Sequence, residues 1–198
     1  TLEKGQASAQ IRYTNGANDA TQTYTESVTG YTALYQPTGT TVTLPSAEGG
    51  LAGTYSVGSL YSATTSKLMT TKYSAEAGLP REGVNYAYTA SGILSSFGGT
   101  FVYLNSATYT PLGQVLQTNF GVYGKQFKRT ETYDQPTGRP LTVTDQIQTL
   151  TSAIDATSYT YNQAGTITSE SDAATADTQC FGYDQHDRLT AAWSDTGA

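Results

Sequence analysis

Apolar and polar residues alternate along most of this chain, in short runs separated by turn chemistry. Tyr159 and Tyr161 stand two apart, as do Tyr86 and Tyr88, and Phe181 and Tyr183. Leu116, Thr118, Phe120 and Val122 alternate, Leu141 and Val143 do so, and Leu189, Ala191 and Trp193 do so again. Side chains two apart lie on one face of a strand, so each run predicts a strand with one face half-buried. Helices are not expected. Ile147–Thr157 is the nearest candidate, and its Thr and Ser content argues against it, because these residues are weak helix formers.

The runs are paired across a recurring signal: a Tyr, three or four residues, then usually a Gly, then the returning strand. It reads Tyr35 to Gly39, Tyr88 to Gly92, Tyr109 to Gly113, Tyr133 to Gly138, Tyr161 to Gly165 and Tyr183 to Asp187, with a looser copy at Tyr61. The Tyr anchors are spaced 26, 27, 21, 24, 28 and 22 residues apart, and a period in that range marks a repeat architecture. Short hairpin loops commonly close on a residue with positive φ, which Gly adopts without steric cost and Asp tolerates. Gln36-Pro37-Thr38-Gly39 and Gln135-Pro136-Thr137-Gly138 fit type I turns, with Pro second and Gly fourth. Each unit then supplies two strands of ordinary length, and seven or eight units supply about fifteen strands in one antiparallel sheet. The expected fold class is all-β, of antiparallel hairpin repeats with little or no helix. Accumulated twist is expected to curl so wide a sheet.

Composition supports strands and removes several functions. Thr occurs 36 times and Tyr 16 times, and both suit a pleated surface. Charged residues are only 13% of the chain, yet 11% are aromatic, which separates it from disordered sequences. The net charge is −6 and the 10 Lys and Arg residues are scattered, so no basic run exists to neutralise nucleic-acid phosphates. No run of 18 apolar residues is present to span a bilayer as a helix. One Cys excludes an internal disulfide, and with the low Lys content it suggests a bacterial secreted or surface protein. Thr1 and the mid-pattern end at Ala198 suggest a slice of a longer chain.

Candidate chemistry is sparse. Cys180 and His186 are the only Cys and His, with Asp184 and Asp187 nearby, but Cys180 falls in a predicted strand and His186 at a turn tip. One Cys and one His cannot by themselves close a zinc site. Asp172 with Asp177, and Asp184 with Asp187, are local acid pairs without a calcium-loop spacing. No phosphate loop, nucleophile elbow or metalloprotease motif occurs. No catalytic residue, metal ligand or cofactor is therefore expected. Trp193 and exposed Tyr rings form a candidate platform for stacking on a sugar.

Tyr133-Asp134 to Gly138-Arg139-Pro140-Leu141-Thr142 resembles the tyrosine–aspartate (YD) repeat of RHS proteins. Tyr183-Asp184-Gln185-His186-Asp187-Arg188-Leu189-Thr190 is a second match, and Tyr161-Asn162 to Gly165-Thr166-Ile167-Thr168 a third with Asn for Asp. The resemblance covers residues 24–198, after a leading strand or linker over 1–23. It is tightest in the last third, because the earlier anchors lack Asp and Arg. The resemblance implies a β-ribbon wound into a hollow shell that encloses an effector in polymorphic toxins. It assigns structural turn and ladder roles to Tyr35, Gly39, Tyr88, Gly92, Tyr109, Gly113, Tyr133, Asp134, Gly138, Arg139, Tyr161, Gly165, Tyr183, Asp184, Asp187 and Arg188. The implied partners are the rest of the shell or neighbouring copies through strand edges, together with an enclosed effector domain. No separate shell-capping core and no effector domain is recognisable in this chain. Two other expectations stand beside the wall: a glycan-binding adhesion module, and a fibre subunit assembling edge to edge.

Overall fold

The computed structural model describes residues 5–14, 19, 21–76 and 78–195. The described residues form fifteen strands, adjacent in the sheet in the order of the chain and antiparallel. They are β1 Ala9–Tyr13, β2 Thr23–Tyr31, β3 Pro37–Leu44, β4 Gly53–Tyr61, β5 Leu68–Tyr73, β6 Glu82–Tyr88, β7 Leu94–Gly98 and β8 Val102–Tyr109. They continue as β9 Val115–Phe120, β10 Phe127–Tyr133, β11 Pro140–Ile147, β12 Asp155–Tyr161, β13 Ile167–Asp172, β14 Asp177–Tyr183 and β15 Leu189–Asp195. The only helical segment among them is a 3-10 turn, Ser46–Leu51. The weak helical candidate within Ile147–Thr157 is instead the connection from β11 to β12. The leading segment carries β1, which pairs with β2.

The contacts divide the chain into two units, Thr1–Ala87 with Phe97–Thr100, and Tyr88–Ser96 with Phe101–Ala198. In the first, one face aligns Glu26, Val42 and Tyr55 across three strands, and Val28, Thr40, Val57 and Tyr73 across four. The opposite face aligns Ser27, Thr41 and Ser56, and Thr25, Thr43 and Thr54. Hydroxyls meet across that face, at 2.6 Å for Ser27–Thr41 and 3.1 Å for Thr43–Thr54. The second unit repeats the division. Leu104, Phe120, Phe127 and Ile147 align on one face, as do Tyr159, Glu170 and Gln179. Thr132, Thr142, Ser158, Ser171 and Thr178 align on the other. Such cross-strand pairs are the unit of sheet stability, each contributing about 0.2–1 kcal/mol.

Little is buried. Among the described residues the apolar core is Val84 in the first unit and Leu104 and Ala107 in the second. No described side chain falls below 2% exposure. Where so little is buried, the sheet uses tyrosine, which is apolar along its ring and polar at its hydroxyl. One buried charge stands out: Asp145, 6% exposed. Arg129, opposite it on β10, holds it through two bonds, Nε–Oδ1 at 2.8 Å and Nη2–Oδ2 at 2.6 Å.

Candidate functional site: the tyrosine ends of the hairpins

Seven hairpin turns share one construction. Each follows a Tyr that ends a strand: Tyr31, Tyr61, Tyr88, Tyr109, Tyr133, Tyr161 and Tyr183. The next residue closes the loop from both sides. Thr110 N–H donates to Gln114 O at 2.8 Å, and Gly113 N–H donates back to Thr110 O at 2.9 Å. The same pair of bonds recurs from Thr32, Ser62, Thr89, Asp134, Asn162 and Asp184. The residue donating back has positive φ in every case: Tyr35 61°, Ser66 57°, Gly92 84°, Gly113 84°, Gly138 69°, Gly165 96° and Asp187 55°. Only Gly occupies this region without a Cβ penalty, which explains its recurrence there.

The residue after the tyrosine has a second task. Its side-chain oxygen accepts from loop amides. Thr110 Oγ1 takes Gln114 N–H at 3.1 Å, Asn162 Oδ1 takes Gly165 N–H at 2.8 Å, and Asp184 Oδ1 takes His186 N–H at 2.8 Å. Thr32, Ser62, Thr89 and Asp134 do likewise. These are the local side-chain bonds that make Ser, Thr, Asn and Asp turn residues. Thr and Ser thus perform in the first four turns what Asp or Asn performs in the last three. The Asp184 carboxyl is held below its usual range, first by the Arg188 guanidinium and then by the Arg188 and His186 amides.

The tyrosines join one hairpin to the one before. Tyr61 Oη donates to Pro37 O at 3.1 Å, Tyr109 to Leu94 O at 2.6 Å, Tyr161 to Pro140 O at 2.7 Å and Tyr183 to Ile167 O at 2.8 Å. In each case the acceptor is the first residue of the preceding returning strand. Register slips just before Tyr31, Tyr61, Tyr109, Tyr133, Tyr161 and Tyr183, a bulge that re-aims the ring. Tyr133 differs by donating to Glu131 Oε2 at 2.6 Å. Burial, followed by that bond, pushes its phenol up to about 12. Burial also raises Tyr159 and Tyr161. Loop ends form a second set of links. Gln36 Nε2 donates to Ser66 O at 2.8 Å and Gln114 Nε2 to Gly138 O at 2.6 Å. Arg139 lies over the Tyr161 ring, its Cζ 5.6 Å from the centroid. A Cβ at Gly165 would run into that guanidinium.

One expected turn is displaced. Tyr35 is not the strand-ending tyrosine but the positive-φ residue of the loop, and it is 51% exposed. The anchor is Tyr31, four residues earlier, whose hydroxyl donates to Ala7 O. Pro37 begins β3, so the type I turn expected over Gln36–Gly39 does not form. Gly39 is a buried strand residue, where a Cβ would stand 2.6 Å from Thr29 Oγ1 and 3.0 Å from Val57 O. It is glycine for close approach, not for a turn.

The remaining candidates lie elsewhere. Cys180 sits in β14 opposite Ser169 and Trp193, and His186 in the exposed loop after Tyr183. Trp193 is 52% exposed on β15, beside Gly182. Asp172 and Asp177 pair across β13 and β14, and Asp172 is held low by hydrogen bonds, first from Thr175 and then from the Ala174 and Ala156 amides. Among the described residues no group of three or more His, Cys, Asp and Glu is placed to hold a metal ion. No described helix is long and apolar enough to cross a membrane.

No protein-family model and no curated protein matches the chain. Solved structures do. A crystal structure of TcdB2–TccC3 aligns with 93% of this chain at a TM-score of 0.71 and 16% identity, over 11% of its own chain. TcdB2–TccC3–Cdc42 gives 0.70 and 15% over the same 93%, and 10% of its own chain. The Photorhabdus luminescens Tc holotoxin pore with a mutated TccC3 gives 0.70 and 14%, again over 93% and 10%. The chain therefore spans about a tenth of the length of the chains it matches. Those Tc toxin chains carry RHS/YD-repeat shells, and this chain shares the fold of a stretch of them.

Proposed function

We propose that this chain is a stretch of shell wall, without chemistry of its own, in a larger secreted or surface protein of a bacterium. Its role is to enclose or display an effector domain. The observation that carries this reading is the repeated link from four tyrosine hydroxyls, of Tyr61, Tyr109, Tyr161 and Tyr183, to the preceding hairpin. It builds the sheet hairpin by hairpin, in a fold shared with Tc toxin chains over 93% of this chain. Each unit touches its neighbours in sequence, so the wall extends by repetition and not by enlarging a core. Every residue of β1 and β15 is exposed, unlike those of the strands between them. These outer strands are suited to pairing with the rest of the shell or with neighbouring copies, because a free strand edge presents unpaired backbone groups. The test is protease protection of the cargo in the full-length protein. Cargo shielded by the wall and digested once residues 24–198 are deleted supports the proposal, and equal digestion of both forms overturns it. Light scattering on the isolated chain tests the edges. Association is expected, and a stable monodisperse monomer counts against strand-edge pairing.

A further inference from the structure

At the strand ends away from the tyrosine turns, the second unit holds a cluster of amides. β9, β10 and β11 set Asn119, Lys128 and Gln146 directly opposite one another, on the Thr-rich face. Gln126 and Gln148 continue the row, joined where Gln148 N–H donates to Gln126 O at 2.8 Å. These five residues line an open-mouthed cavity of about 160 Å³.

Gln126 is the informative member. It is buried, at 9% exposure. Its backbone is satisfied, since its N–H donates to Gln148 Oε1 at 3.3 Å, and that oxygen also takes Gly124 N–H at 2.7 Å. Its side-chain amide has no hydrogen-bond partner among the described residues, yet no atom of it is wholly shut off from the cavity. Its amide atoms reach the cavity, so their partner there is water or a bound polar group. Asn119 is already committed, accepting from Gln117 Nε2 at 3.1 Å and donating to Ser106 Oγ at 2.8 Å. Gln146 Nε2 is directed to Leu150 O at 3.4 Å, and its oxygen has no protein donor among the described residues. Lys128 is half-buried as a residue and makes no ion pair among the described residues, because Asp145 lies on the opposite face with Arg129. The cavity thus offers amide N–H donors from Gln126 and Gln148, acceptors from Gln126 and Gln146, and one positive charge.

Donors and acceptors set side by side match vicinal hydroxyls, each of which donates and accepts at once. The ammonium adds a preference for a carboxylate. We propose that this pocket binds a single acidic sugar unit of uronic-acid type. Its ring hydroxyls pair with Gln126, Gln146 and Gln148, and its carboxylate meets Lys128. The site is independent of the wall reading, since it rests on the cavity and the Gln126 amide that lines it and not on the tyrosine links.

The test is an amide-detected NMR titration of the full chain with glucuronate, with glucose and acetate as the comparison probes. Glucuronate is expected to shift the Gln126 and Gln148 side-chain amides saturably, with a Kd of about 1 mM. Glucose should bind about tenfold more weakly, and acetate should leave these amides unmoved. Lys128→Met, at a half-exposed position, should abolish the difference between the two sugars. Gln126→Leu should abolish binding of both. Unmoved amides at high glucuronate mean a water-filled pocket and overturn the proposal. Equal shifts from acetate and glucuronate overturn it as a simple carboxylate contact, and equal affinities for the two sugars overturn the acidic assignment.

Discussion

If tyrosine hydroxyls fasten each hairpin to the one before, replacing them with phenylalanine removes the fastening and keeps the ring. Four of these bonds have plain donor–acceptor geometry: Tyr61–Pro37, Tyr109–Leu94, Tyr161–Pro140 and Tyr183–Ile167, at 2.6 to 3.1 Å. A net contribution near 1 kcal/mol each is typical of such bonds, with a range of about 0.5–1.5. The four sites share no partner, so their effects are expected to add, to about 4 kcal/mol for the quadruple variant. For a chain of this size each kcal/mol moves Tm by about 2–4 °C, which gives a fall of about 8–16 °C by calorimetry. Tyr35→Phe is the internal control. Its ring is 51% exposed in a loop, and a change within about 0.5 kcal/mol is expected there. Hydrogen exchange adds the location. Tyr161→Phe should accelerate exchange in β11 and β12 while leaving the first unit unchanged, because repeats couple only to neighbours. A quadruple variant melting within 2 °C of the parent refutes the fastening role. So would a Tyr35→Phe variant as unstable as Tyr161→Phe.

Other consequences follow from the same geometry. Arg129→Ala leaves Asp145, 6% exposed, without its two-bond partner and should cost about 2–4 kcal/mol by urea denaturation, less than a fully buried pair because Arg129 is 44% exposed. Removing both side chains should cost less than removing Arg129 alone; a larger loss would contradict the pairing. Tyr133, whose phenol lies above its unfolded value, adds stability that is complete below about pH 10 and lost as pH rises towards about 12, because the unfolded chain then releases the proton first. Tyr133→Phe should flatten that alkaline fall, and an unchanged profile would argue against it. Gly39→Ala should destabilise by about 1–3 kcal/mol through overpacking against Thr29 and Val57 O, whereas Asp187→Gly should stabilise by about 0.5–1 kcal/mol by relieving a φ of 55°. Paired thermal melts would show opposite signs, and two losses of equal size would refute the distinction.

The turns at Gly92, Gly113, Gly138, Gly165 and Asp187 were readable because the whole device is local: a strand tyrosine, a side chain that caps the loop, a positive-φ residue, and a return. The same logic misplaces the first turn. Tyr31 and Tyr35 are four apart, and Gln36-Pro37-Thr38-Gly39 has ideal turn chemistry, so local signals favour the later position. What decides for Tyr31 is non-local: its hydroxyl bond to Ala7 O, and the packing of Gly39 against Thr29 and Val57. The earlier anchors also look weaker than they are, since Thr32, Ser62, Thr89 and Thr110 cap their loops as Asp134 and Asp184 do. A tyrosine followed by any short polar side chain is the better signal.

By itself the chain's order of residues determined the strand count, the sequential antiparallel order and the tyrosine beat, because alternation and turn propensity act over a few residues. Only the tertiary structure decided what each tyrosine hydroxyl holds, why Arg129 and Asp145 face one another, and that Gln126 is buried beside an open polar cavity. Those facts depend on register between strands 15 to 24 residues apart, and register is a property of the paired sheet, which no single strand contains.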